Sequence, residues 1–129
     1  MNLKQTRLVT NDVLRLTGFY EELTGATADV ISVGYVEFQR SPCAGLAITS
    51  AAAAAIYGED VLASANNRSL VLDFEVSNVD EHYARLRERI GEWVQPPTDL
   101  PWGNRAMLFR DPDGNLVNMF AVKRASAQE

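Results

Sequence analysis

The chain has 129 residues, which fits one compact domain or two small repeated modules that share a core. Its composition, 47% apolar and 22% charged, is typical of a globular protein with enough apolar surface to bury a core. One histidine, His82, and one cysteine, Cys43, exclude intramolecular disulfides and tetrahedral Cys/His zinc sites. The formal net charge of −5 disfavours binding to a phosphate backbone, so we expect no nucleic-acid partner.

No stretch of the chain reaches the roughly 18–20 apolar residues that cross a bilayer. Residues 1–5 also lack the apolar core of a secretion signal. We therefore expect no membrane partner and a cytoplasmic location, and the single unpaired cysteine agrees with that expectation.

The first half of the chain predicts a strand, a helix and three more strands. An amphipathic helix runs from Asp12 to about Thr24, where Gly25 is placed to end it. β-branched and aromatic residues predict the strands around it. These strands are expected over 6–10, 28–32, 35–39 and 46–49.

The connection that follows contains five consecutive alanines, and Ser50 could cap a short helix there. Two interpretations of residues 51–69 stay open: a linker between modules, or a mobile flap over a pocket.

The second half predicts the same series of elements. A helix runs from Asn78, its cap, to about Ile90 and is closed by Gly91. Asp111-Pro112-Asp113-Gly114-Asn115 is a strong turn sequence between the last two strands. The strands of this half are expected over 70–76, 93–95, 106–110 and 116–122.

A series of strand, helix and three strands that occurs twice predicts an α+β fold with two βαβββ modules. The expected organisation is a first module at 1–50, a linker at 51–69, a second module at 70–123 and a flexible tail at 124–129.

This pattern, with Phe19-Tyr20 on the first helix and the closing sequence of residues 109–116, resembles the vicinal oxygen chelate superfamily. That superfamily includes glyoxalase I, extradiol dioxygenases, fosfomycin-resistance enzymes and bleomycin-binding proteins. The resemblance covers nearly the whole chain. It implies curved mixed sheets around a cleft that is commonly completed by a second subunit, so we expect a homodimer.

Enzymes of that superfamily hold a divalent metal on histidine, glutamate or glutamine side chains from the first and last strands of each module. The resemblance places those ligands at Gln5, at Ala47 or Ile48, at Val71 and at Asn118. Aliphatic side chains cannot ligate, and a neutral amide is a weaker partner for a hard cation than a carboxylate. We therefore expect no metal and no cofactor.

Strand alternation predicts that Asp73 and Glu75 line the cleft. They could attract a cationic ligand or act as a general base. They could instead lie at an exposed sheet rim, paired with Arg7, Arg68 or Arg105. A magnesium site formed by these two carboxylates and Glu37 is a further alternative.

Four other side chains are candidates for chemistry or ligand contact. Trp102 could stack on a flat aromatic ligand, or seal a sheet edge or a dimer contact. Trp93 is expected in the core or at an interface. His82 is expected on the charged helix face and Cys43 in an unreactive turn. The predicted ligand-binding residues are Tyr35, Glu37, Asp73, Glu75, Trp102 and Asn118.

The predicted function is a metal-free small-molecule binding protein, sequestering an antibiotic or another aromatic or cationic natural product. The resemblance to the bleomycin-binding branch implies this function. Two alternatives are a glyoxalase-type metal-dependent lyase or dioxygenase, and a metal-free enzyme with Asp73 or Glu75 as base.

Overall fold

The computed structural model of the protein describes residues 1–123, and the predicted tail at 124–129 lies outside them. Internal contacts divide the chain into two compact units, Met1–Asn67 and Arg68–Glu129. Each unit contains an open four-stranded mixed sheet and at least one helix, which confirms the predicted α+β fold. None of the helices within 1–123 has the length and apolarity needed to cross a bilayer.

The elements of the first unit are β1 (Thr6–Thr10), α1 (Val13–Thr24), β2 (Asp29–Ser32), β3 (Tyr35–Phe38), β4 (Leu46–Ser50) and α2 (Ala51–Ala54). A short 3-10 helix, Ala55–Tyr57, follows α2. The sheet has the strand order β1-β4-β3-β2. Strands β1 and β4 are parallel, and the other pairs are antiparallel.

Helix α1 begins and ends at the residues that the sequence predicts. The Asp12 side chain accepts a hydrogen bond from the Arg15 amide at 3.1 Å, and Gly25 adopts a left-handed φ of 76° that closes the last turn. Leu16 and Tyr20 are buried on its apolar face. Each buried side chain of this size contributes about 1.5–3 kcal/mol, which holds the helix against one face of the sheet.

The alanine-rich segment belongs to the first unit. Its helix α2 is capped by Ser50, whose hydroxyl accepts a hydrogen bond from the Ala53 amide at 3.0 Å. Tyr57 ends the 3-10 helix that follows, and its side chain contacts Arg7 of β1. The segment therefore places an aromatic side chain beside the first strand.

The elements of the second unit are β5 (Val71–Glu75), α3 (Val79–Leu86), β6 (Glu92–Asp99), β7 (Asn104–Arg110) and β8 (Leu116–Val122). Its sheet repeats the arrangement of the first, with the strand order β5-β8-β7-β6. Strands β5 and β8 are parallel, and the remaining pairs are antiparallel.

The largest boundary differences from the prediction in the second unit are at the ends of α3 and β6. Helix α3 ends at Leu86, but a following turn still buries Ile90, whose amide donates to the Leu86 carbonyl. Strand β6 continues to Asp99 through Pro96 and Pro97. Strand β6 is at the edge of the sheet and pairs with β7 alone. The two prolines lack an N–H group, but no second neighbouring strand is left without a hydrogen-bond donor.

Candidate functional site

The first sheet has a polar face opposite α1, centred on β4. Ala47 of β4 is level with Arg7 on one side and with Glu37 on the other, so these three side chains share the face. Tyr35, two residues from Glu37 along β3, points the same way. We call Arg7, Tyr35, Glu37 and Ala47, with the flanking residue Gln5, the polar face of the first sheet.

Glu37 is held by a chain of hydrogen bonds on this polar face. Gln5 Nε2 donates to the Tyr35 hydroxyl at 2.8 Å, and that hydroxyl donates a short hydrogen bond to Glu37 Oε2. Gln39 Nε2 donates to Glu37 Oε1 at 2.9 Å. Both carboxylate oxygens therefore have a donor, and the predicted residues Tyr35 and Glu37 are in direct contact.

These contacts set the charge of the pair. Burial, followed by hydrogen bonding to Glu37, raises the pKa of Tyr35 above its usual value. The hydrogen bonds from Tyr35 and then from Gln39 lower the pKa of Glu37. At neutral pH Tyr35 is therefore a neutral donor and Glu37 a carboxylate, which suits binding of a positive group. A carboxylate with a lowered pKa is a weak general base.

Arg7 adds a positive group to the same face. Its Nη2 donates to the Tyr57 hydroxyl at 2.7 Å, and its Cζ lies 5.3 Å from the centre of the Tyr57 ring. The guanidinium forms no salt bridge with a carboxylate of residues 1–123. Sequence reasoning missed Tyr57, and its only signal was the apolar pair Ile56-Tyr57 after the alanine run.

The second sheet also has a face opposite its helix, and this mixed face contains polar and apolar side chains. Asp73 is level with Asn118, whose Nδ2 donates to Asp73 Oδ1 at 2.9 Å. Glu75 is level with Phe120 and borders an open pocket of about 810 Å³. Val71 shares this exposed side of β5, which confirms the predicted alternation.

Trp102 lies in the turn between β6 and β7 and is 72% exposed. The Gly103 amide donates to the Leu100 carbonyl at 3.0 Å, which closes this turn. Trp93 instead contacts Tyr83 and Phe109 with ring centres 5.1 and 5.2 Å apart. Trp93 is therefore half-buried against aromatic side chains of its own unit, whereas Trp102 is exposed.

The remaining chemical candidates have structural partners. His82 contacts Arg85 on α3, and burial followed by the Arg85 charge lowers its pKa. Burial raises the pKa of the Cys43 thiol to about 11, so it is a poor nucleophile. Arg105 pairs with Asp80 at 2.8 Å and with Asp99 at 3.1 Å. The alternative in which Arg105 pairs with the carboxylates of β5 is therefore contradicted.

The metal implied by the resemblance does not fit the side chains present. In the first sheet Ala47, which is 0% exposed, is paired with Arg7. In the second sheet Asn118 is paired with Asp73 in the same way. Ala47 is thus the equivalent position, and it offers a methyl group. Val71 offers no donor either.

Within residues 1–123 no three His, Cys, Asp or Glu side chains form a group that could hold a metal ion. Of the three carboxylates considered for magnesium, Glu37 belongs to the first unit, and Asp73 and Glu75 belong to the second.

Comparison with known proteins gives consistent matches. The sequence model of the Glyoxalase/Bleomycin resistance protein/Dioxygenase superfamily matches residues 2–119. The chain is 29% identical over 127 residues to the uncharacterized protein YraH of Bacillus subtilis (strain 168), spanning 95% of this chain and 99% of YraH.

Two solved structures are similar over almost the whole chain. A glyoxalase/bleomycin resistance protein/dioxygenase from Nocardioides has a TM-score of 0.78 and 27% identity, covering 98% of this chain and 86% of that chain. A family enzyme from Burkholderia phytofirmans PsJN has a TM-score of 0.81 and 15% identity, covering 95% and 99%. At that identity the second likeness shows the fold alone.

Proposed function

Because the chain belongs to the Glyoxalase/Bleomycin resistance protein/Dioxygenase superfamily, we propose that it binds a small organic molecule without a divalent metal. In this proposal the chain sequesters an antibiotic or another aromatic or cationic natural product. The observation that carries the proposal is the chemistry of the four positions at which enzymes of the superfamily hold their metal. Ala47 and Val71 have no donor atom, and Gln5 and Asn118 are neutral amides engaged with Tyr35 and Asp73.

The polar face of the first sheet supports the binding of a positive group. Glu37 is ionised at neutral pH and is held in place by two donors. Preorganised acceptors of this kind favour a charged partner at little cost in side-chain entropy. On the second sheet, Asp73 and Glu75 are also exposed carboxylates.

Trp102 supports an aromatic ligand. A large ring that is exposed on a turn contributes contact area with few torsions to immobilise. We propose that Trp102 stacks on such a ligand.

The two enzymatic alternatives have less support. A lyase or dioxygenase that depends on a divalent metal requires donors that Ala47 and Val71 lack. A metal-free enzyme with Asp73 or Glu75 as base has little support, because both carboxylates are exposed and Asp73 accepts a hydrogen bond from Asn118.

We propose further that the protein is a cytoplasmic homodimer. Strand β2 is an edge strand with exposed apolar side chains, including Val30 at 78% exposure and Ile31. Apolar edge strands are usually covered in the folded assembly. Light scattering coupled to size-exclusion chromatography checks the mass.

Metal analysis and ligand screening test the function. Purified protein is expected to retain less than about 0.1 equivalents of nickel, zinc, manganese or iron after dialysis. Compounds that raise the melting temperature, screened among glycopeptide, peptide and intercalating antibiotics, should do so equally with and without EDTA. Trp102→Ala should weaken the aromatic hits by roughly tenfold, a loss of about 1.4 kcal/mol.

A matched control inserts the missing donors into the second sheet. The double variant Val71→His, Asn118→Glu should gain affinity for zinc or nickel, because both positions then carry ligands of the family type. One tightly held metal per wild-type chain, with turnover of a glutathione hemithioacetal, would overturn the proposal.

A further inference from the structure

The polar face of the first sheet presents opposite charges on either side of a small residue. Arg7 and Glu37 are both level with Ala47, one on β1 and the other on β3. Two strand spacings place their backbones about 10 Å apart. Ala47 itself is 0% exposed, and the side chains of Gln5 and Tyr35 on its two sides are joined by a hydrogen bond, so a ligand that reaches both charged groups lies over these side chains.

The guanidinium of Arg7 is positioned but has donors to spare. Its Nη2 donates to the Tyr57 hydroxyl, and the Tyr57 ring lies beside it at 5.3 Å. A guanidinium carries five N–H donors, and neither a salt bridge nor a further side-chain hydrogen bond within residues 1–123 uses the rest. The remaining donors suit the two oxygens of a carboxylate.

The carboxylate of Glu37 likewise has capacity left. Tyr35 and Gln39 each donate one hydrogen bond to it, whereas an ionised carboxylate has about four acceptor positions. Lys4 contributes a positive charge nearby without a salt bridge to Glu37 in the described chain. An ammonium or amidinium group on a ligand can therefore occupy the free acceptor positions.

From this geometry we infer that the ligand of the polar face is a zwitterion, with its anionic group on Arg7 and its cationic group on Glu37. The inference rests on the proposed small-molecule binding function and names the ligand class. A purely cationic ligand would leave the remaining donors of Arg7 unpaired, and a purely anionic one would leave Glu37 without a positive partner. A molecule that carries both charges satisfies both side chains, and peptides and amino-acid-derived natural products have this chemistry.

Two peptides and their neutralised derivatives test the inference. The probes are phenylalanyl-glycine and phenylalanyl-glycyl-glycine, each compared with its N-acetyl form, which loses the positive charge, and its C-terminal amide, which loses the negative charge. Binding is measured by chemical-shift titration of the labelled protein. We expect at least one free peptide to bind about tenfold more tightly than both of its derivatives.

Crossed variants assign the two charges to their partners. In Arg7→Gln the peptide and its amide should bind equally, because the carboxylate has lost its partner. In Glu37→Gln the peptide and its N-acetyl form should bind equally. Tyr57→Phe should weaken the preference for the carboxylate but keep the aromatic contact. Arg40→Gln, which removes a guanidinium already paired with Asp29 at 3.0 Å, should keep the wild-type preferences.

The outcomes separate this inference from the proposed function. Equal binding of all three forms, or no shift with any peptide up to about 10 mM, overturns the zwitterion assignment. A compound from the antibiotic screen that binds independently of EDTA and of Arg7 would do the same while leaving the binding function intact. A stoichiometric metal overturns the function whatever the peptides do.

Discussion

The two units repeat one series of elements but differ in how they fix the side chains opposite their helices. In the first unit Glu37 has two donors and Arg7 is held by a tyrosine from a separate segment. In the second unit one hydrogen bond joins Asp73 to Asn118, and the neighbouring Phe120 is apolar. The first sheet thus has a preorganised charged site, whereas the second has a looser mixed surface.

The faces that pack on the helices differ much less. Tyr20 and Phe38 are buried in the first unit, as are Met107 and Phe109 in the second. The shared pattern of buried side chains accounts for the repeated fold, because burial decides which face of each strand contacts a helix. The other face is not constrained by that packing, so the two copies can present different chemistry there.

The largest expected effect is a loss of stability when a buried aromatic side chain is removed from the core of one unit. Phe109 is 0% exposed and contacts Trp93, so Phe109→Ala should lower the free energy of unfolding by about 3–5 kcal/mol. Phe120→Ala removes the same group from the mixed face, where the ring is half-buried, and should cost less than half as much. Urea denaturation monitored by tryptophan fluorescence measures both. Equal losses of unfolding free energy in the two variants would contradict the division of the second sheet into a core face and a mixed face.

Most of the fold follows from local sequence patterns. Asp12 and Gly25 mark the ends of α1, and Leu116–Val122 is observed with the predicted bounds. The errors arise where a boundary depends on distant contacts. The apolar stripe continues to Ile90 because a turn buries that side chain as well as a helix would. The extent of β6 depends on its position at a sheet edge, which no local pattern encodes.

The site was predictable only in part. Alternation along β3 and β5 identified the exposed carboxylates and Tyr35, because side-chain direction in a strand has a period of two. The contact between Arg7 and Tyr57 joins residues 50 positions apart, and no spacing rule connects them. The choice between Ala47 and Ile48 likewise required the observed strand register.

A smaller effect is expected from the turns that close the two sheets. The turn between β3 and β4 uses backbone hydrogen bonds, such as that from the Gly45 amide to the Phe38 carbonyl at 3.1 Å. The turn between β7 and β8 depends on buried Asp111, which accepts three hydrogen bonds at 2.9 Å. Asp111→Ala leaves those donors unpaired and should cost about 2–3 kcal/mol in chemical denaturation.

The matched control for this turn is Asp113→Ala. The Asp113 side chain has a buried oxygen, Oδ2, that accepts no hydrogen bond within residues 1–123, so its removal should cost less than about 1 kcal/mol. If Asp113→Ala destabilised the protein as much as Asp111→Ala, the turn would depend on its negative charge rather than on the three hydrogen bonds.

The smallest expected effect is a change in the pKa of Tyr35, and it tests whether the first sheet is preorganised as described. Glu37→Gln removes a negative charge that accepts the phenolic proton, so the pKa of Tyr35 should fall. Burial, the largest cause of the elevated pKa of Tyr35, is not removed by this substitution. Carbon-13 NMR of the labelled tyrosine ring follows this titration, and Asp73→Asn on the other sheet should leave it unchanged.

The contribution of Glu37 to the free energy of unfolding should decrease when the pH is lowered into the acid range. Its pKa is lowered in the folded chain, so its contribution is complete above the usual glutamate pKa and is lost as the pH falls through the lowered value. The difference in unfolding free energy between wild type and Glu37→Gln should therefore be constant at neutral pH and shrink in acid. An unchanged tyrosine titration together with a difference that persists in acid would mean that Tyr35 and Glu37 do not act as a coupled pair.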